Sequence, residues 1–207
     1  LSTSDKFFIN NNVNHGYSIK YKENDFSKSQ SYKLNTLGFE TSFKYDFTYN
    51  TYHTISFGYS LKDYKVTDAS TVSNNIKNSE GESISFNISN ELIRNTLNSY
   101  IKPSRGNFIS FANYLETPSS SANGFIKNIL TGKKYYSINK NIFSAQGKVG
   151  NIFSLNDNEI LSDNKFSLGG RWLRGFDAFG AGPRNSRTSY IGGNNIAALK
   201  LDFSKPI

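Results

Sequence analysis

Apolar and polar residues alternate with a period of two along much of this chain. From Leu37 to Tyr49 the odd positions are mostly aromatic, whereas the even positions are polar and include three charges. Because successive side chains of a β-strand point to opposite faces, this segment is predicted to be a strand with one aromatic and one polar face. The alternation resumes from Ile55 to Lys62 after a short turn near Asn50, which predicts a hairpin.

Further segments have the same strand-like character and bring the predicted number of strands to about eight. They are 7–21, 83–89, 106–115, 125–136, 143–153 and 197–204. The triplet Asn10-Asn11-Asn12 leaves open whether the first is one strand or two. The predicted links alternate in length: about 22–34, 63–80, 118–124 and 154–193 are long, while those near 48–52, 93–105 and 138–141 are tighter. Transmembrane β-barrels show this asymmetry, with short periplasmic turns and longer extracellular loops.

Composition favours a membrane barrel over a soluble β-sandwich, which can share the alternation. The chain has 17 Phe and 13 Tyr, yet its mean hydropathy is −0.53. No segment approaches the roughly 20 apolar residues of a membrane-spanning helix. Barrel strands with apolar outer and polar inner residues combine these properties. The net charge of +8 raises the possibility of nucleic acid as a partner, but the basic residues are scattered, which favours a solvated lumen and charged loops.

Nothing in the sequence indicates bond-making chemistry. The chain has no Cys, which excludes disulfides and thiolate metal sites. His15 and His53 lack metal-ligand spacing with another His, and the strand carboxylates occur singly rather than in pairs. We therefore expect no catalytic residues, no metal, no cofactor and no enzymatic activity. The absence of Met and the ending Ser204–Ile207 predict that the chain is a segment of a longer polypeptide.

The segment 166–184 differs from the rest of the chain. Seven of the 16 glycines fall between Ser167 and Gly193, and glycine permits positive φ and close backbone approach, so a compact folded loop is predicted. Arg174 lies at a predicted tight turn. The neighbouring Trp172, Leu173, Phe176 and Phe179 indicate that the loop is packed, because four large apolar side chains are seldom left together in water.

These residues resemble the sixth-loop signature of the BamA family. The matching positions are Gly169, Gly170, Leu173, Arg174, Gly175, Phe176, Gly182, Pro183 and Arg184. Leu173 stands where valine is more usual, a mild departure. Two further elements are similar to the family: Gly192–Asn194 leading into the strand that ends at Leu201–Phe203, and Ser104–Ser110, which opens a strand.

The resemblance implies an all-β fold, a transmembrane antiparallel barrel of sixteen strands, of which residues 1–207 supply roughly strands five to twelve. Residues 154–193 are then the sixth extracellular loop, folded inward, and the POTRA domains and terminal strands lie outside the chain. It further implies that Arg174 contacts the lumen wall, and Asp202, on the polar side of the last predicted strand, is our candidate partner.

The implied function is assembly of outer-membrane proteins in the bacterial outer membrane. The implied partners are unfolded β-barrel clients, accessory lipoproteins of an assembly complex and outer-membrane lipid, with no cofactor and no nucleic acid. Alternatives are a TamA-like assembly barrel, a two-partner secretion transporter or a porin-like channel. A porin-like channel would not carry the sixth-loop signature.

Overall fold

The chain folds into one antiparallel sheet. A computed structural model describes residues 2–6, 12–28, 30–118, 124–156, 160–170, 172–177, 180–184 and 191–205. Among these residues the sheet has nine strands, and each strand pairs with its neighbours in the sequence. Their bounds are β1 Ser2–Lys6, β2 Val13–Asp25, β3 Tyr32–Thr48, β4 Thr51–Val66, β5 Gly81–Asn95, β6 Gly106–Glu116, β7 Phe125–Ile138, β8 Asn141–Ser154 and β9 Asn195–Ser204.

The all-β antiparallel class predicted from the alternation is confirmed. The strand count is nine rather than about eight, because Ser2–Lys6 forms a strand of its own that pairs with β2. Residues 1–21 therefore contain β1 and the first part of β2, and residues 7–11 lie outside the described residues. A short helix, α1, covers Asn74–Asn78. No helix in the described part of the chain is both long and apolar enough to cross a membrane.

The two faces of the sheet differ as the alternation predicted. We call outer the face that carries Phe39 and Tyr59, which are partners across β3 and β4 and remain 46% and 39% exposed. The opposite, inner face carries Lys62 and is covered at one end by α1 and by parts of the link 155–194. Two buried hydrophobic clusters form beneath that cover.

The links are less regular in length than the sequence suggested. The predicted long link 22–34 is mostly strand, since β2 runs to Asp25 and β3 begins at Tyr32. The link 63–80 also begins later than predicted, because β4 continues to Val66. At the opposite end of the sheet, β3–β4 and β7–β8 are joined by two-residue turns, whereas β5–β6 has a longer link. Asn98 Oδ1 organises that link by accepting hydrogen bonds from the backbone N–H of Ser104 and Arg105, both at 3.0 Å.

Gly106 explains why the Ser104–Ser110 element opens a strand. Its φ is +109°, and a Cβ there would lie 2.2 Å from the carbonyl oxygen of Thr96. Only glycine combines that conformation with so close an approach to backbone.

A row of asparagines crosses the outer face of four adjacent strands. Asn90 on β5 donates to Asn113 on β6 at 3.2 Å, Asn113 donates to Asn128 on β7 at 2.6 Å, and Asn128 donates to Asn151 on β8 at 2.9 Å. All four lie in register as Cα partners. We call this set the asparagine row. Asn195 on β9 continues it in register with Asn151.

Candidate functional site

The link 155–194 contains the glycine-rich segment, and its described part begins and ends as a narrow hairpin. Phe166 and Gly193 exchange two backbone hydrogen bonds, of 2.9 and 2.8 Å, and Leu168 and Ala181 exchange two more, of 3.4 and 3.0 Å. The described part of the glycine-rich segment is therefore a folded loop with paired edges.

The tip of this loop is a tight turn that presents Arg174. The N–H of Phe176 donates to the carbonyl of Leu173 at 3.3 Å, and Gly175, the third residue of the turn, has φ +88°. A positive φ at this position is what a type II turn requires. The N–H of Gly170 donates to the carbonyl of Phe176 at 2.9 Å and closes the base of the tip.

Arg174 reaches toward the inner face of β9. Its guanidinium Nη2 lies 3.7 Å from Oδ1 of Asp202, and the arginine side chain is 80% exposed. Lys200 Nζ lies 3.2 Å from the other carboxylate oxygen, and Ser144 Oγ is 3.5 Å from that same oxygen. Asp202 is thus shared by two cations, and the arginine contact is a long ion pair rather than a bidentate fork.

The predicted packing of the apolar residues at the tip is only partly met. Trp172 and Leu173 are half-buried, but Phe176 remains 51% exposed, and Phe179 lies outside the described residues. The exposed positions also include Gly182, Pro183 and Arg184. Burial is concentrated instead in the arm 160–166 that leads into the loop and forms its root, where the chain lies directly on the sheet.

Phe166 anchors one side of the root. Its side chain is 6% exposed and packs over Gly150 of β8, where a Cβ would lie 2.7 Å from the ring. Lys127 of β7 places its Nζ 4.5 Å from the ring centroid and donates to the carbonyl of Asn164 at 2.7 Å. The phenyl ring is therefore held between a cation and a bare stretch of strand, in a cluster with Ile160.

Asp163 anchors the other side of the root. It accepts a hydrogen bond from the Tyr64 hydroxyl of β4 at 3.1 Å, and the adjacent Leu161 is buried in a cluster with Tyr64 and Ile76. Burial raises the pKa of the Asp163 carboxyl above its ordinary value, although the nearby Lys62 ammonium acts in the opposite direction.

Beneath this anchor lies a buried ion pair that the sequence reading did not identify. Lys62 of β4 lies 2.7 and 3.0 Å from the two carboxylate oxygens of Glu116 on β6. The lysine reaches across β5, where Ser83 and Ser85 are buried and small enough to let it pass. Tyr114 donates a further hydrogen bond to Glu116 at 3.0 Å. Two buried charged groups and the half-buried Tyr114 are thereby linked on the inner face.

Sequence reasoning found the tip of the loop and missed its root. The available signal was the apolar group Ile160, Leu161 and Phe166 within the otherwise polar stretch 156–167, together with a glycine in the β8 pattern. In the described part of the chain, no group of three or more His, Cys, Asp or Glu side chains is placed to hold a metal ion.

The comparisons with known proteins agree with this geometry. The model of the Omp85 superfamily domain matches residues 1–207. The outer membrane protein assembly factor BamA of Nitratidesulfovibrio vulgaris is 26% identical over 195 residues, which are 92% of this chain and 24% of that protein. BamA of Neorickettsia risticii is 27% identical over 187 residues, which are 89% of this chain and 25% of that protein. The chain thus spans about a quarter of the length of these curated relatives.

A solved structure shows the same fold. The crystal structure of BamA from Haemophilus ducreyi lacking POTRA domains 1–3 superposes with a TM-score of 0.84 and 21% sequence identity, and the match covers 98% of this chain and 43% of that one. The nine strands therefore have the fold of part of a BamA barrel. With the family model matching its whole length, the chain belongs to the Omp85 superfamily.

Proposed function

We propose that this chain is part of the membrane-spanning barrel of a bacterial outer-membrane protein assembly factor. Residues 154–193 are its sixth extracellular loop, folded against the inner wall. The observation that carries the proposal is the double anchor of that loop: its root is buried on the inner face by Phe166 and Asp163, and its tip presents Arg174 to Asp202.

The outer face supports the membrane assignment. The exposed large hydrophobic side chains stand mainly on the outer face of the sheet, in every strand from β2 to β9. Exposed backbone groups cannot be left unpaired in lipid, so a sheet can span a membrane only when its strands are closed by further pairing. In this reading the apolar outer face meets lipid and the polar inner face lines the lumen.

The contribution of this segment to assembly is mechanical. Unfolded β-barrel clients need strand edges to pair with while their backbone groups enter the bilayer. A wall held in shape by an internal loop keeps such edges in place elsewhere in the barrel. No step of this process makes or breaks a covalent bond in the client. We propose unfolded outer-membrane proteins as the clients and accessory lipoproteins as further partners.

TamA-like assembly barrels and two-partner secretion transporters remain the alternatives within the family resemblance. A passive porin-like channel is disfavoured, because a loop whose root is buried on the inner face occupies space that a channel keeps open.

The test is a client-folding assay with the intact protein that contains this chain, reconstituted in liposomes. We expect Arg174→Ala to slow folding of an added β-barrel client and Asp202→Ala to slow it as well, with the double variant no slower than the worse single one. Lys77→Ala, which removes a cation from α1 in another link, serves as the control and should fold clients at the original rate.

Additive losses for Arg174 and Asp202 would show that the two residues act separately. An unchanged rate in all variants, with loop protection from protease also unchanged, would remove the loop from the mechanism. Folding that does not depend on the reconstituted protein at all would exclude the assembly function itself.

A further inference from the structure

The outer face carries an apolar groove over β6–β9. Its volume is about 630 Å³, and its walls are the side chains of Ile109, Leu130, Val149 and Leu199. Gly132 and Gly147 face each other as Cα partners between these walls. A second recess of about 420 Å³, which includes Lys134, Ala145 and Leu201, continues the groove toward the end of the sheet that has the two-residue turns.

Nothing in the described part of the chain fills the space over the two glycines. A Cβ on Gly132 would have no neighbour within 4 Å, and one on Gly147 would meet only a carbonyl oxygen at 4.0 Å. Neither residue has a positive φ. Glycine inside a strand weakens the strand and often marks close approach by a ligand. The groove therefore has the shape of a binding site for a molecule outside the chain.

Two exposed cations flank one end of the groove. Arg94 on β5 is the Cα partner of the groove residue Ile109, and Lys134 on β7 is the partner of Asn107 on the same face. Both side chains are exposed. Two strand spacings and one two-residue step separate them, so their Cα atoms are about 12 Å apart. Their long side chains can converge on one anion between them.

Strand tilt places the two cations at one depth in a membrane. At a tilt of roughly 40°, two strand spacings from β5 to β7 change the depth by about 6 Å, and the two-residue step back to Lys134 reverses about 5 Å of it. An anion held between Arg94 and Lys134 therefore lies in a plane parallel to the membrane surface, as a layer of headgroups does.

The length of the groove matches one leaflet. Six residues separate Lys134 from Asn128 in the asparagine row, which is about 20 Å along the strand. With the same tilt this is about 15 Å of depth, half of a hydrocarbon core about 30 Å thick. The groove thus lies between the two cations and a line of amides.

We propose that the groove binds a single phospholipid, with its phosphate between Arg94 and Lys134 and one acyl chain lying over Gly132 and Gly147. The inference rests on the proposed membrane-spanning role of the sheet. A phospholipid accounts for all three features, because it joins one anion to an apolar chain of one leaflet's length. The outer-face carboxylates Asp25, Asp63 and Glu82 lie at the opposite end of the sheet from the two cations, so a second copy placed alongside in the same orientation would not bring a matching anion to them.

The experiment uses the intact protein in nanodiscs made of equal amounts of phosphatidylethanolamine and phosphatidylglycerol, with a trace of phosphatidylglycerol bearing a photoreactive diazirine on its acyl chain. Peptide mass spectrometry locates the crosslinks. We expect labelling concentrated on Leu130 and Val149. The double variant Arg94→Gln/Lys134→Gln should reduce that labelling about tenfold, and Gly132→Leu/Gly147→Leu should abolish it.

Ile88→Phe adds bulk to the same face on β5, outside the groove, and should leave the labelling unchanged. Even labelling of all outer-face strands, unaffected by the variants, would show a non-specific lipid belt and overturn the site while leaving the membrane assignment intact. Crosslinks from groove residues to a second protein chain would identify a protein occupant instead. No lipid labelling on any outer-face residue would overturn the membrane assignment itself.

Discussion

Lys62 and Glu116 form a two-oxygen ion pair across an intervening strand, with only 9% and 2% of their side chains exposed. The pair ties β4 to β6 at the end of the sheet where the loop root lies. Buried ion pairs add little to the free energy of unfolding relative to apolar residues of the same size. Removing one partner, however, leaves an unpaired buried charge and costs about 3–5 kcal/mol of stability.

Glu116→Gln and Lys62→Met should each destabilise the folded barrel by about 3–5 kcal/mol. The double variant Lys62→Met/Glu116→Gln should lose clearly less than the sum of the two single losses, since no unpaired charge remains. Urea unfolding in detergent micelles measures all three. Lys20→Met, which breaks the exposed pair with Glu40, should change stability by less than about 1 kcal/mol. Strict additivity at Lys62 and Glu116 would rule out direct coupling.

Gly150→Ala should loosen the loop, because its Cβ would lie 2.7 Å from the Phe166 ring and would push it off the sheet. Gly147→Ala is a matched control, since it lies on the same strand but its Cβ would meet no atom nearer than 4.0 Å. Trypsin cleavage after Arg174 or Arg184 reports the outcome. We expect faster cleavage for Gly150→Ala and an unchanged rate for Gly147→Ala. Equal rates in both variants would mean that Phe166 does not hold the root.

The anchor at Asp163 should be pH-dependent. Its pKa is raised in the folded protein, mainly by burial, so the folded state binds more protons than the unfolded state between the ordinary carboxyl pKa of 3.8 and the raised value. Stability therefore decreases as pH rises through that window and is constant above it. Asp163→Asn should remove this dependence.

Hydrogen exchange of residues 160–168, compared between the original protein and Asp163→Asn at each pH, measures the effect. We expect the original protein to gain protection relative to the variant as pH falls toward the ordinary carboxyl pKa. The same difference at every pH would mean that Asp163 does not change its protonation in this range.

The two faces of β3 and β4 can be assigned by cysteine labelling, because the chain contains no native Cys. We expect cysteines placed at outer positions to react with a lipid-soluble reagent and those at inner positions with a water-soluble one. Phe43 should react least among the outer set, because His15 stacks on it with centroids 4.4 Å apart. The outer set is Phe39, Phe43, Tyr45, Phe57 and Tyr59, and the inner set is Glu40, Lys44 and Lys62. Equal labelling of both sets by the aqueous reagent would contradict the assignment.

The sequence predicted what depends on neighbours along the chain. The alternation from Leu37 to Tyr49 identifies β3 because each side chain's face follows from its own position. The turn at Arg174 followed from Gly175 for the same reason. The pairing of Lys62 with Glu116 could not be predicted in this way, because it joins residues 54 apart and requires the order of strands and the small serines of β5.

The prediction that the loop is packed at its tip was only partly correct, for a related reason. Large apolar residues at the tip suggested packing there, yet Phe166 is buried and Phe176 is not. What decides burial is the surface that the residue meets. The bare backbone at Gly150 provides that surface for Phe166, and it lies on a different strand.

The asparagine row gives this sheet a check on its own strand alignment. If β6 slipped by two residues against β7, Asn113 would face Ile126 or Leu130 instead of Asn128, and amides would be left without partners on a face that meets lipid. Each such group costs about 1–3 kcal/mol in proteins and more in pure hydrocarbon. Asn113 and Asn128, the two middle amides of the row, each donate one hydrogen bond and accept another. A misaligned strand that carries either of them therefore breaks bonds on both of its sides. The strands β5–β8 therefore reach their lowest free energy together, in a single alignment. The four side chains of the row thereby favour the correct strand register while the sheet enters the membrane.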